Sequence, residues 1–155
     1  MPTPTDSRLA RHERHTFQLP LSGRSGGIEF LGVTLAATNV CPGRPLAIRY
    51  YWKHPPERAV SDGLSVFVHF TDAAGGLAFQ DDHVLLSGAA VAMQPEPLVF
   101  VEERAPLVPP DLKPGEYAMW LGLFRNNGRR LKGRTDLPVV RRAVRLPVIL
   151  RLAEP

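Results

Sequence analysis

The chain of 155 residues contains one cysteine, Cys41. No intrachain disulfide can form, and the paired-thiolate spacings of zinc sites are excluded. Long hydrophobic runs are also missing, which excludes a membrane-spanning helix of about twenty apolar residues. No segment of useful length has helical periodicity, and no repeat recurs at a solenoid spacing. Catalytic signatures are absent as well. There is no Gly-x-Ser-x-Gly elbow, no His-Glu-x-x-His, no phosphate-cradling glycine loop and no dinucleotide fingerprint, so the sequence points away from an enzyme and implies no cofactor. The first fifteen residues carry no apolar h-region and read as a polar tail rather than a secretory signal. As written the product stays in the cytoplasm; a processed form or excised domain would belong to the periplasm or envelope.

Charge of one sign is missing from a whole stretch. Between Ala59 and Glu103 there is no Lys or Arg, and Asp62, Asp72, Asp81, Asp82, Glu96, Glu102 and Glu103 give a net of about −7. From Arg125 onward the balance reverses to about +7. A basic surface built from Arg129, Arg130, Lys132, Arg134, Arg141 and Arg142 would suit an anionic partner. The plainer expectation is that neighbouring strands of opposite sign neutralise each other. Nothing specific points to nucleic acid.

What the sequence does contain is turn chemistry and alternation. Sixteen prolines and thirteen glycines punctuate short segments of period two. In the central segment after Pro114-Gly115, Tyr117, Met119, Leu121 and Leu123 point one way while Ala118, Trp120, Gly122 and Phe124 point the other. Leu46, Ile48, Tyr50 and Trp52 form an inward set, with Trp52 a core residue. Leu64, Val66, Val68 and Phe70 form another, facing away from Phe67 and His69. Segments at 16–21, 28–37, 77–84, 98–104 and 143–152 complete seven or eight strands, the first confined to an edge by Pro20. The expected architecture is all-β, an Ig-like antiparallel β-sandwich spanning 16–155 as one domain behind a flexible tail at 1–15. Tyr117, after its tight turn, sits where such sandwiches place a tyrosine corner.

Two candidate sites follow. Pairing of the third and sixth strands would gather Phe67, His69, Trp120 and Phe124 on one outer surface, a candidate binding face unless another part of the chain covers it. His69, Asp81, Asp82 and His83 would converge at one sheet end as a candidate metal site, although Gln-Asp-Asp-His also reads as a solvated strand end.

Three passages carry a resemblance: Ser65-Val-Phe-Val-His-Phe-Thr-Asp-Ala-Ala-Gly75, Phe79-Gln-Asp-Asp-His83, and Pro109-Pro-Asp-Leu-Lys-Pro-Gly-Glu-Tyr117 with Leu121-Gly-Leu-Phe124. Together they resemble small bacterial Ig-like sandwich domains appended to membrane glycosyltransferases and other envelope proteins. The 43–52 segment and the Pro-Gly-Glu-Tyr117 corner are more loosely similar to the glycan-binding C-terminal domain of O-antigen exporter ATPases. The resemblance implies a non-catalytic module that binds a glycan or docks on an envelope-associated assembly. A structural accessory subunit of a larger protein complex and a small metal-dependent enzyme are the alternatives.

Overall fold

A computed structural model describes residues 17–19, 28–54, 64–85, 98–125, 128–131 and 137–153. Among them are ten strands and no helix: β1 (Phe17–Leu19), β2 (Ile28–Leu35), β3 (Ile48–His54), β4 (Leu64–Thr71), β5 (Leu77–Gln80), β6 (His83–Val84), β7 (Leu98–Arg104), β8 (Gly115–Arg125), β9 (Val139–Val140) and β10 (Ala143–Leu152). Seven of these have four or more residues. They form an all-β antiparallel sandwich. One sheet runs β1-β2-β3-β7; the other runs β5-β4-β8-β10-β9, with β6 also on β4. The third and sixth of the longer strands, β4 and β8, pair over their full length, from Leu64 opposite Arg125 to Thr71 opposite Ala118.

The inward sets meet between the sheets. Tyr50, Trp52, Val66, Val68, Phe70, Met119, Leu121, Leu123 and Leu150 are fully buried. Phe30 packs edge-on against Trp52 with ring centroids 4.9 Å apart, and Phe70 stacks on Phe79 at 4.3 Å. Such pairs contribute about 0.5–1.5 kcal/mol beyond the area they bury.

Where the alternation in the sequence is blurred, the register slips. In β2, Phe30 points inward and so do Val33 and Leu35. The pairing with β3 shifts between Phe30 and Gly32, and this bulge converts an even-numbered inward set into an odd-numbered one. In β10 the pairing with β8 shifts between Arg145 and Ile149, a span that contains Pro147. Proline has no N–H to give the ladder, so it is accommodated where the ladder is already broken.

After β2 the chain crosses to the other sheet. The Val40 amide donates to the Arg151 carbonyl at 2.9 Å and the Arg151 amide to the Thr38 carbonyl at 2.8 Å, a parallel bridge that straps the sheets together. The adjoining corner is closed by Tyr117, buried, whose hydroxyl donates to the carbonyl of Lys113. Burial raises the Tyr117 phenol above its ordinary value, with Asp72 adding to the effect.

The β9–β10 connection is a two-residue hairpin, Val140 pairing with Ala143 around Arg141 and Arg142 at φ of 50° and 62°. Both positive values mark a type I′ turn, which Asn-Gly satisfies without strain. Two arginines there cost about 1–2 kcal/mol each.

Candidate functional site

The outer face of the second sheet is built from alternate residues of β4, β8 and β10. Phe67 and His69 on β4 lie opposite Gly122 and Trp120 on β8, and Trp120 lies opposite Arg145 on β10. The four aromatic candidates therefore share one face, as strand parity requires. They do not share one environment.

At one end the face is covered. Phe67 is only 2% exposed. Arg130 reaches it through a bridge between Phe124 and Arg130 and lies with its guanidinium carbon 4.1 Å from the Phe67 ring centroid. Arg130 donates to the Arg141 carbonyl at 2.9 Å, and Arg142 donates to the Arg130 carbonyl at 2.6 Å. Beneath this cover Gly122 is obligatory. A Cβ there would sit 2.3 Å from the Phe67 ring and 2.9 Å from the Arg142 carbonyl oxygen. Phe124, half-buried, completes the cluster 6.2 Å from Phe67. A wholly open aromatic surface is thus not what forms, because the segment after β8 folds over half of it.

At the other end the face is open. Trp120 is half-buried, and its indole N–H donates to the Thr71 hydroxyl at 3.0 Å, which fixes the ring. Beside it lies a groove of about 300 Å³ whose lining includes Thr71, Asp72, Glu116, Trp120, Arg145 and Ile149. The β10 irregularity between Arg145 and Ile149 bounds this groove. Bulges of this kind recur where a strand re-aims side chains beside a site.

A larger groove of about 450 Å³ lies on the outer face of the first sheet, but its polar groups already answer one another. There Arg49 pairs with Glu103 at 3.1 Å, the Thr34 and Tyr51 hydroxyls are 3.2 Å apart, and Arg104 is taken by Asp81. The Trp120 groove differs in that Arg145 pairs with no carboxylate among the described residues.

The metal candidates are divided by the same parity that joins the aromatics. Phe79, Asp81, His83 and Leu85 all point inward, while Asp82 points outward toward His69. His69 Nε2 is 3.8 Å from Asp82 Oδ1, and Asp82 also accepts the Val68 amide at 3.0 Å. Burial pulls the His69 imidazole below its ordinary value; Asp82 opposes this and Arg130 reinforces it. Among the described residues no group of three His, Cys, Asp or Glu side chains is arranged to hold a metal ion. Of the basic candidates, Lys132 and Arg134 lie outside the described residues, as does the tail at 1–15.

A polar network that the sequence reading missed lies between the sheets. Asp81 accepts the Tyr50 hydroxyl at 3.0 Å and both Nε and Nη2 of Arg104, at 3.1 and 2.9 Å. Glu102 accepts the Trp52 indole N–H at 2.7 Å and stands 3.1 Å from His83 Nε2, while His83 Nδ1 is 2.8 Å from the Asp81 carbonyl. Asp81, His83 and Glu102 are all buried, so in the run Gln80 to His83 only Gln80 and Asp82 face solvent. Burial opposes charge on His83, but Glu102 and then Asp81 outweigh it and raise the imidazole above its ordinary value. Burial, then Asp81, raises the Tyr50 phenol well above its own. The network links β3 and β7 of one sheet to the β5–β6 edge of the other, and its side chains face the core rather than solvent.

These features define a β-sandwich with a partly covered aromatic face and a polar fastening between its sheets. No protein-family model matches the sequence, and neither does any curated protein. Among solved structures, the crystal structure of the C-terminal domain of Wzt is similar at a TM-score of 0.54 and 13% identity, over 84% of this chain and 76% of that one. The likeness is one of fold, and it falls on the looser of the two resemblances read from the sequence.

Proposed function

We propose that the protein is a non-catalytic binding module whose ligand is a glycan, taken at the open end of the outer face of the β4–β8–β10 sheet. The observation that carries this reading is Trp120. Its N–H is held by Thr71 at 3.0 Å and it borders a groove lined by polar side chains. Sugar rings present C–H faces that pack on an indole and hydroxyls that reach flanking polar groups, and a ring already fixed loses little entropy on binding. Similarity of fold to the C-terminal domain of Wzt is compatible with this role. Docking on an envelope-associated assembly would use the same face, where a buried tryptophan is a typical interface hot spot.

The test is Trp120→Ala, assayed by glycan-array binding and isothermal titration calorimetry. Loss of binding with an unchanged far-UV circular dichroism spectrum and a melting temperature within a few degrees of the parent is the expected result. If the variant unfolds, or keeps its ligand, Trp120 is part of the scaffold and the reading is wrong.

A further inference from the structure

The charges on the outer face of the second sheet are unequally answered. Its carboxylates are engaged: Glu116 pairs with Arg151 at 2.8 Å, Asp82 faces His69, and Asp72 Oδ1 accepts the amides of Ala74 and Gly76 at 3.0 and 2.8 Å. Three guanidinium groups are not. Arg130, Arg142 and Arg145 pair with no carboxylate among the described residues.

Two of these cations are each held by a backbone carbonyl. Arg130 and Arg142 each donate to a backbone carbonyl on the other's segment, in a clasp that ties the β9–β10 turn to the segment after β8. Each guanidinium has five N–H donors, so most of those on the exposed Arg142 remain free. The strained turn that carries Arg142 places its carbonyl against Gly122, one same-face step along β8 from Trp120. Arg145 lies directly across from Trp120 on β10. Arg145 therefore lines the groove in which the proposed glycan packs, beside the engaged Asp72 and Glu116, and Arg142 stands on the neighbouring turn beyond that lining.

We infer that the ligand at Trp120 is an acidic glycan, with a sugar carboxylate received by Arg142 and Arg145. This rests on the reading of Trp120 as a glycan platform and adds the chemical class of the sugar. The guanidinium fork matches a carboxylate through two parallel hydrogen bonds. Arg130 contributes its field and the cover over Phe67 rather than a direct contact.

The experiment titrates the whole chain with uronic-acid oligosaccharides (oligogalacturonate, oligomannuronate and hyaluronan fragments), each beside its methyl-esterified neutral counterpart. At least one acid form should bind at least about ten-fold tighter than its ester, and its affinity should fall as salt rises, as expected for exposed charges. Arg142→Gln combined with Arg145→Gln should remove that preference. Arg145→Gln alone, which leaves the clasp intact, should remove at least half of it in free-energy terms. Equal binding of acid and ester, or full affinity in both variants, overturns the inference and leaves the Trp120 reading standing. Should no member of the panel bind in either form, the inference also fails, and neutral glycans with Trp120→Ala then decide the parent reading separately.

Discussion

Replacing Glu102 with leucine removes the acceptor on which two buried donors converge. The Trp52 indole N–H, 2.7 Å from Glu102 Oε1, and His83 Nε2, 3.1 Å from the same oxygen, would both be left in a site too closed for water to replace it. An orphaned buried donor costs about 1–3 kcal/mol, and breaking a buried ionic contact by deleting one partner costs about 3–5 kcal/mol. For a chain of this length each kcal/mol lowers the melting temperature by roughly 2–4 °C. Glu102→Leu should therefore melt about 6–20 °C below the parent. Thermal and urea unfolding followed by circular dichroism measure this directly. His83→Leu in the same background should cost less than it does in the parent, because the donor it removes is already stranded; the coupling should be at least about 0.5 kcal/mol. A loss below about 1 kcal/mol for Glu102→Leu, or strict additivity of the pair, would refute the view that this network fastens the sheets.

Three further expectations follow from the same geometry. Because Glu102 and Asp81 hold the His83 imidazole above its ordinary value, the stability it contributes is complete below about pH 6.5 and is lost as pH rises through the raised value; His83→Gln should flatten the pH dependence of the melting temperature between pH 6 and 9, and an unchanged slope would count against the assignment. Tyr117→Phe deletes the bond to the Lys113 carbonyl and should cost about 0.5–1.5 kcal/mol in urea unfolding, with no shift in midpoint contradicting the corner. Gly122→Ala should destabilise by about 1–3 kcal/mol, since the new methyl meets the Phe67 ring and the Arg142 carbonyl, and a neutral result in thermal melts would show that the cover is loose.

Period-two parity made much of the fold legible. It assigned Tyr50 and Trp52 of β3, Val66, Val68 and Phe70 of β4, and Tyr117, Met119, Leu121 and Leu123 of β8 to the core, and the structure buries those residues. The Tyr117 corner was legible from its tight turn, and the pairing of β4 with β8 from the strand order expected of an Ig-like sandwich. In the hairpin from β4 to β5, His69 lies opposite Gln80. Cover over Phe67 was harder to foresee, because Arg130 arrives from a segment without a pattern of its own. The buried network was concealed by residue type. Alternation continued from Phe79 through Leu85 already points Asp81 and His83 inward, and Glu102 shares the parity of Phe100 on β7. Their charge suggested solvent. What reverses that expectation is the facing set of donors, Tyr50, Trp52 and Arg104, which only the pairing of β3 with β7 and the packing of the two sheets bring within reach.

The hairpin at Arg141 and Arg142 sets two kinds of selection against each other. Asn-Gly at these positions would relieve the backbone of both positive-φ arginines and recover about 1–2 kcal/mol per residue. In a library sorted only for resistance to heat, that exchange is among the first rewards available. Sorted for retention of an acidic ligand, the same library would discard it, because the replacement strips Arg142 from the clasp with Arg130. If Arg142 receives a ligand as proposed, this turn is the place where engineering for heat resistance would be felt as a loss in binding.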